Sequence, residues 1–195
     1  MTMENRILSI LAESLAIKDR SVRENLDKLK TVAQRLAECL ASDRKVLIFG
    51  NGGSAADAQH IAAEFVNRFG IERPPLAAIA LTTDTSILTS IGNDYRFDAI
   101  FSKQIHALGK SGDVAWAIST SGSSSNVLKG VEAAGEKEMA TIAMTGRGGL
   151  LAAKADLSLT VMSDSTARIQ ETHLTMAHIL CELVERILFP KLFQK

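Results

Sequence analysis

The sequence is poor in the features that mark specialised protein classes. Its 195 residues include 2 cysteines, 3 prolines and only 5% aromatic residues. Cys39 and Cys181 cannot build a disulfide framework. Both sit in apolar helical patterns and read as buried free thiols in a reducing compartment. No apolar run approaches the ~18 residues that span a bilayer, so no membrane segment is expected. Met1–Leu11 mixes polar and apolar residues and lacks the continuous core of a signal peptide, which points to the cytoplasm. The 22 Lys and Arg residues balance 22 Asp and Glu. That leaves no field to attract nucleic acid or an acidic membrane surface. What remains is a globular chain long enough to bury a core without staples.

Residues 3–42 contain neither glycine nor proline. Their apolar residues recur at helical spacing and predict two helices, about 3–18 and 21–42. The second is apolar on a broad face, suited to packing on the main domain or on another subunit. From residue 45 short β-rich runs alternate with helical stretches. Strands are expected at Lys45–Gly50, Ala77–Leu81, Val114–Ile118, Met139–Met144 and Leu157–Val161. Helices are expected at Ala55–Arg68, near 84–92 and 98–108, at Asn126–Gly135, and at Ala167–Leu188 before Pro190. Continuously apolar strands alternating with helices imply an α/β three-layer sandwich, its five-stranded parallel sheet covered on both faces. The reading is one structural unit: N-terminal helices over 1–42, serving an oligomer interface, and an α/β body over 43–195. Ligands of such sheets bind beyond the carboxyl ends of the strands.

Two loops in that position stand out. Gly50-Asn51-Gly52-Gly53-Ser54 follows the first strand, and its glycines let backbone approach a ligand at a helix start. Ser54 could cap that helix, with Asp57 in its first turn. The stretch also satisfies G-x-G-x-x-A, with Asp84 as a possible ribose-binding acid, the pattern of a dinucleotide site. The second loop, Ser119-Thr120-Ser121-Gly122-Ser123-Ser124-Ser125-Asn126, has more hydroxyls than one helix cap uses. Hydroxyls with helix N–H groups make a cradle for a phosphate monoester. A second anion loop argues against the dinucleotide site, which concentrates its phosphate contacts on the first loop.

His60 and Glu64 stand four apart and so share one face of a helix. The last helix carries Gln170, Glu171, His173 and His178. On an ideal helix Glu171 aligns with His178 better than Gln170 does, although Gln170 and His178 can share a broad face. Together the two helices offer a base, an acid and two to four N/O metal ligands. His106, in an ordinary amphipathic stretch, reads as structural.

Gly50-Asn-Gly-Gly-Ser-Ala-Ala-Asp-Ala-Gln-His60, Asn93-Asp94, Ser119-Thr-Ser-Gly and Arg168-Ile-Gln-Glu-x-His173 with His178 together resemble the phosphoheptose isomerase branch of the sugar-isomerase (SIS) fold family. The similarity covers essentially the whole chain. It implies a flavodoxin-like SIS fold, a homotetramer with active sites at subunit contacts, and one zinc ion per subunit. It implies conversion of D-sedoheptulose 7-phosphate to D-glycero-D-manno-heptose 7-phosphate, the first step toward the heptose of bacterial lipopolysaccharide. By position, the resemblance assigns His60, Glu64, Gln170 and His178 to the metal. It assigns Glu64 and His178 to acid–base catalysis, in either order. It assigns Asn51, Gly52, Gly53, Glu64, Asn93, Asp94, Ser119, Thr120, Ser121, Ser124 and Gln170 to substrate. It thus favours Gln170 over Glu171. A non-catalytic branch of the same fold, which binds the bacterial replication initiator, is similar but lacks the acid–base pair. This sequence keeps both Glu64 and His178.

Overall fold

The protein is described from a computed structural model covering residues 1–194. Strands β1 (Val46–Gly50), β2 (Ala78–Ala80), β3 (Val114–Ser119), β4 (Ala140–Thr145) and β5 (Leu157–Thr160) form one sheet in the order β2-β1-β3-β4-β5. All four pairings are parallel, which gives the flavodoxin-like order. The chain leaves β1 toward β2 on one side and leaves β3 toward β4 on the other. The carboxyl ends of β1 and β3 therefore flank the crevice where ligands of such sheets bind.

The central strands are buried on both faces because both are covered, whereas at the edges Ile79 of β2 is 40% exposed and β5 carries Ser158 and Thr160. Val46, Ile48, Val114, Trp116, Ile118, Ile142, Met144 and Leu159 point into one core. They meet α2 (Leu26–Ala41), α3 (Gly53–Val66) and α8 (Thr166–Leu188). Leu47, Phe49, Ala115, Ala117 and Ala143 point into the other. There they meet α5 (Ile100–Leu108), α6 (Ser125–Glu136) and α7 (Leu150–Lys154). The period-2 alternation of β1 divides its residues cleanly between the two.

The N-terminal helices differ from the sequence expectation. α1 runs Met3–Glu24, and the break falls at Asn25 rather than near residue 20. Asn25 is buried, and its side-chain amide donates to the Ser21 carbonyl at 2.8 Å and the Thr160 carbonyl at 3.0 Å. Its Oδ1 accepts from Thr160 N at 3.3 Å. Periodicity cannot locate such a break, because Asn25 bends the chain through a partner far away in sequence. α2 takes the first of its two expected placements, on the main domain. Leu29, Val32, Leu36 and Leu40 are buried within this chain. The unburied stripe belongs to α1, where Ile7, Leu8, Leu11 and Leu15 stay 53–62% exposed.

The short α7 and α4 (Thr85–Asp94) complete the fold together with two single-turn 3₁₀ segments. α7 was not expected from sequence. Five residues after two glycines give too short a period to read. Asp84 caps α4 by accepting from Ile87 N at 2.9 Å, which removes it as a ribose ligand. Ser54 is not a cap: Gly52 holds that position and Ser54 is buried in the first turn of α3. Cys39 and Cys181 are buried free thiols, as expected. His106 lies exposed, 3.7 Å from Glu136. No described helix is long and apolar enough to cross a membrane.

His173 pins α8 to the sheet, its Nε2 standing 3.0 Å from the Thr145 carbonyl while Nδ1 is buried without a partner. Burial lowers its pKa to about 4. The folded state therefore refuses a proton that the unfolded chain accepts near pH 6.5. Stability is full above that pH and falls as pH drops from 6.5 toward 4, by about 3 kcal/mol in total. The expected outcome is that His173→Gln, less stable at neutral pH, loses about 3 kcal/mol less than wild type across that window. Urea unfolding at fixed protomer concentration measures the difference. Parallel pH dependences would rule His173 out as the titrating group.

Candidate active site

The crevice between β1 and β3 gathers most of the residues singled out from sequence. β1 ends at Gly50, and the turn enters α3 through Gly52 with φ +55°. Asn51 exchanges two hydrogen bonds with Asn126, amide to amide, each 2.8 Å. This reciprocal pair ties the β1 loop to the first turn of α6. Asn126 carried no signal in the sequence beyond a helix start, yet it is buried and fixes the orientation of Asn51.

The hydroxyls of the serine loop are not spent on capping α6. Ser124 occupies the N-cap of α6 but makes no side-chain capping bond. Its hydroxyl stands 3.3 Å from Ser119 Oγ, which is also 3.4 Å from Ser121 Oγ. The amides of the first turn of α6 are thereby left free for an anion. Gly122, at φ +63°, packs so closely on Gly148 that any Cβ would collide with the Gly148 carbonyl. A cavity of about 70 Å³ opens here, lined by Asn51, Ser54, Ser119, Thr120, Ser124 and Gln170.

Gln170 reaches this cavity from α8, its amide so close to α3 that a Cβ on Gly53 would clash with it. A side chain at Gly53 would therefore push the Gln170 amide out of this position. Glu171, the better-aligned candidate by helix geometry, turns elsewhere. Its carboxylate accepts from Ser14 Oγ at 2.6 Å and Arg168 Nη2 at 2.7 Å, against α1.

Farther along the same seam, His60 and Glu64 of α3 face His178 of α8. The two imidazole Nε2 atoms are 2.8 Å apart, and His60 Nε2 lies 3.4 Å from Glu64 Oε1. One ligand atom from each of the three residues falls within 4.8 Å of the others. Two imidazoles and a carboxylate so gathered are a donor set suited to zinc. Burial lowers the His178 pKa, as does its neighbour His60, while Glu64 acts in the opposite direction. Asp57, one turn before His60, is half-buried, and its Oδ2 has no partner. Burial raises its pKa, and His60 partly offsets this. Sequence reading took Asp57 only for a first-turn charge.

Asn93 and Asp94 stand apart from this group. They end α4, both exposed, with Asn93 Nδ2 donating to Asp94 Oδ1 at 2.9 Å. They line neither the serine cavity nor the apolar cavity of about 170 Å³ between Gly52, Leu88 and Phe97.

Comparison with known proteins identifies the family of the fold. The SIS-domain family profile matches residues 11–146. A protein of Thermodesulfovibrio yellowstonii called phosphoheptose isomerase is 54% identical over 190 residues, covering 97% of this chain and 94% of its own. The solved phosphoheptose isomerase of Neisseria gonorrhoeae superposes with a TM-score of 0.88 at 47% identity, over 94% of this chain and 99% of that one. The enzyme of Francisella tularensis gives 0.91 at 40% identity, over 95% and 100%. With its five parallel strands in flavodoxin order and a crevice built from these two loops and two helices, the chain belongs to the SIS-domain family, among the phosphoheptose isomerases.

Proposed function

We propose that the protein interconverts D-sedoheptulose 7-phosphate and D-glycero-D-manno-heptose 7-phosphate, the first step toward lipopolysaccharide heptose, in the cytoplasm. The observation that carries this reading is the gathering of Glu64, His178 and His60 along the seam that leads from the hydroxyl cradle. A phosphate held by Ser119, Ser121, Ser124 and the amides of α6 fixes one end of the sugar. The reacting carbons then lie along α3 and α8. Glu64 removes a proton from C1 of the ketose and returns it to C2. His178 carries the C1 hydroxyl proton to the C2 oxygen. A depressed pKa keeps His178 neutral at neutral pH, so it can accept and donate in turn. Holding both ends converts these transfers into steps between fixed neighbours.

His60, Glu64 and His178 would hold a zinc ion, with Gln170 as a fourth donor. Zinc bound there supplies Lewis-acid polarisation of the substrate oxygens. Asn93 and Asp94, remote from the cradle in one chain, fit the substrate role if neighbouring subunits close the site. The exposed stripe of α1 supports that assembly, a homotetramer, since a soluble surface rarely leaves such a row of leucines and isoleucine uncovered. The initiator-binding alternative has less support. Relatives called isomerases are about half identical over nearly the whole chain, and both members of the acid–base pair are present.

Purified protein should convert sedoheptulose 7-phosphate, and Glu64→Gln should lower kcat by about 10²–10⁴-fold while substrate affinity stays within about tenfold. Wild-type turnover in that variant would remove Glu64 from the chemistry. Ser121→Ala with Ser124→Ala should weaken phosphorylated sugars by more than about tenfold and leave non-phosphorylated sugars unchanged. Equal losses for both classes, measured by calorimetry, would contradict the cradle. Light scattering at micromolar concentration should give a tetramer mass, and Leu8→Glu with Leu11→Glu should reduce it. A monomeric wild type would refute the assembly.

A further inference from the structure

A buried ion pair lies under the seam, beyond the groups assigned above. The side chains of Arg73 and Glu185 are each 1% exposed, with Arg73 Nε 3.0 Å from Glu185 Oε1. The rest of the guanidinium is spent on backbone. Nη2 donates to the Glu64 carbonyl at 2.8 Å, and Nη1 donates to the carbonyls of Phe65 at 2.7 Å and Pro74 at 3.1 Å. The other side of the carboxylate is also filled. Glu185 accepts from the backbone N–H groups of Phe69 and Gly70, each at 2.9 Å. The Phe69 ring in turn lies against the His178 ring, with centroids 5.3 Å apart.

Stability alone does not explain such a pair. Removing two charges from water costs several kcal/mol, and apolar residues of similar volume often serve as well. What an apolar replacement could not do is hold particular carbonyls. α3 ends at Val66 without a glycine cap, so the carbonyls of its last turn need donors from outside the helix. Arg73 supplies them to the very peptide that carries Glu64. Glu185 lies on α8 seven residues after His178, almost two turns farther along the same helix. The pair therefore fastens the end of α3 to α8, and it sets the aromatic wall behind His178 through the Phe69–Gly70 backbone.

We propose that Arg73 and Glu185 are a positioning pair that sets Glu64 of α3 in register with His178 of α8, a role that rests on the isomerase reading of that site. Neither residue touches substrate. Their effect reaches the reaction through the Glu64 peptide and the Phe69 ring. A planar fork is needed at Arg73, because an ammonium cannot reach Glu64, Phe65 and Glu185 together. A displacement of about 1 Å between reacting groups can cost about 100-fold in rate.

The test uses the full-length protein with Arg73→Lys and Glu185→Gln. Asp113→Asn serves as the control, since Asp113 is buried in an ion pair with Lys45 and bonds to no residue of the site. All are assayed well below their unfolding midpoints. Arg73→Lys and Glu185→Gln should lower kcat for sedoheptulose 7-phosphate by about 10–100-fold with KM within about threefold. Their Zn²⁺ dissociation constants, measured with Zn²⁺ alone against a chromophoric chelator, should rise about tenfold or more. Asp113→Asn should change neither quantity, whatever it costs in melting temperature. If Arg73→Lys does not fold, the milder Glu185→Gln carries the test. The proposal is overturned if the two variants keep wild-type kcat and Zn²⁺ affinity, or lose no more than Asp113→Asn does at equal loss of melting temperature. A wild type that binds Zn²⁺ but turns over no heptose phosphate would instead sink the isomerase reading. The Zn²⁺ measurement would still read the positioning role.

Discussion

The central strands β1 and β3 are buried on both sides, so each must be covered twice, and the covering helices have few places to go. On one face, α3 and α8 lie side by side because the row from Val46 to Leu159 requires both. The site follows from that demand. His60 and Glu64 come from the edge of one helix, Gln170 and His178 from the edge of the other, and the seam between them opens above the diverging ends of β1 and β3. On the other face, alanines at 115, 117 and 143 let α5 and α6 approach closely, which brings the start of α6 and its serine loop beside the same opening. The hydroxyl-rich end and the ionisable end of the crevice are thus products of two different cores, built on opposite sides of one sheet.

The cradle is electrically unusual in a simple way. It presents neutral hydroxyls, amides and a helix start, and none of its lining side chains carries a full charge. The partial positive charge at the helix start and several aligned donors can hold a phosphate without the strong desolvation that burying a cation would bring. Ionisable groups, His60, Glu64 and His178, are instead concentrated at the far end of the seam. Under the proposed isomerase reading, this separation keeps the acid–base pair from being tuned by the phosphate charge.

Much of this was legible in sequence for physical reasons. Strands covered on both faces are continuous apolar runs, and all five were readable to within about two residues. His60 and Glu64 share a helix face by spacing alone, and the loop after β3 holds more hydroxyls than the start of α6 uses for capping. What periodicity could not supply was which neighbour each face meets. Glu171 aligned well with His178 on an ideal helix, yet α8 is flanked by α1 as well as α3, and Glu171 belongs to the α1 side. The Asn51–Asn126 pair joins residues 75 apart, and Arg73 and Glu185 meet across 112 residues with no pattern in the sequence to pair them. The break at Asn25 was misplaced for the same reason: its cause is a contact with Thr160, which lies 135 residues away.

That contact has a further consequence. β5 is an edge strand, and the Val161 N–H bonds inward to Thr145 of β4. The N–H and carbonyl of Thr160 therefore point outward, to where a sixth strand would pair. The side-chain amide of Asn25 takes both, accepting from one and donating to the other. One asparagine thus imitates a strand's peptide unit and closes the sheet at that point. An open edge is a template for pairing with other chains and for aggregation. The elbow between the first two helices is also the stopper that keeps this sheet at five strands.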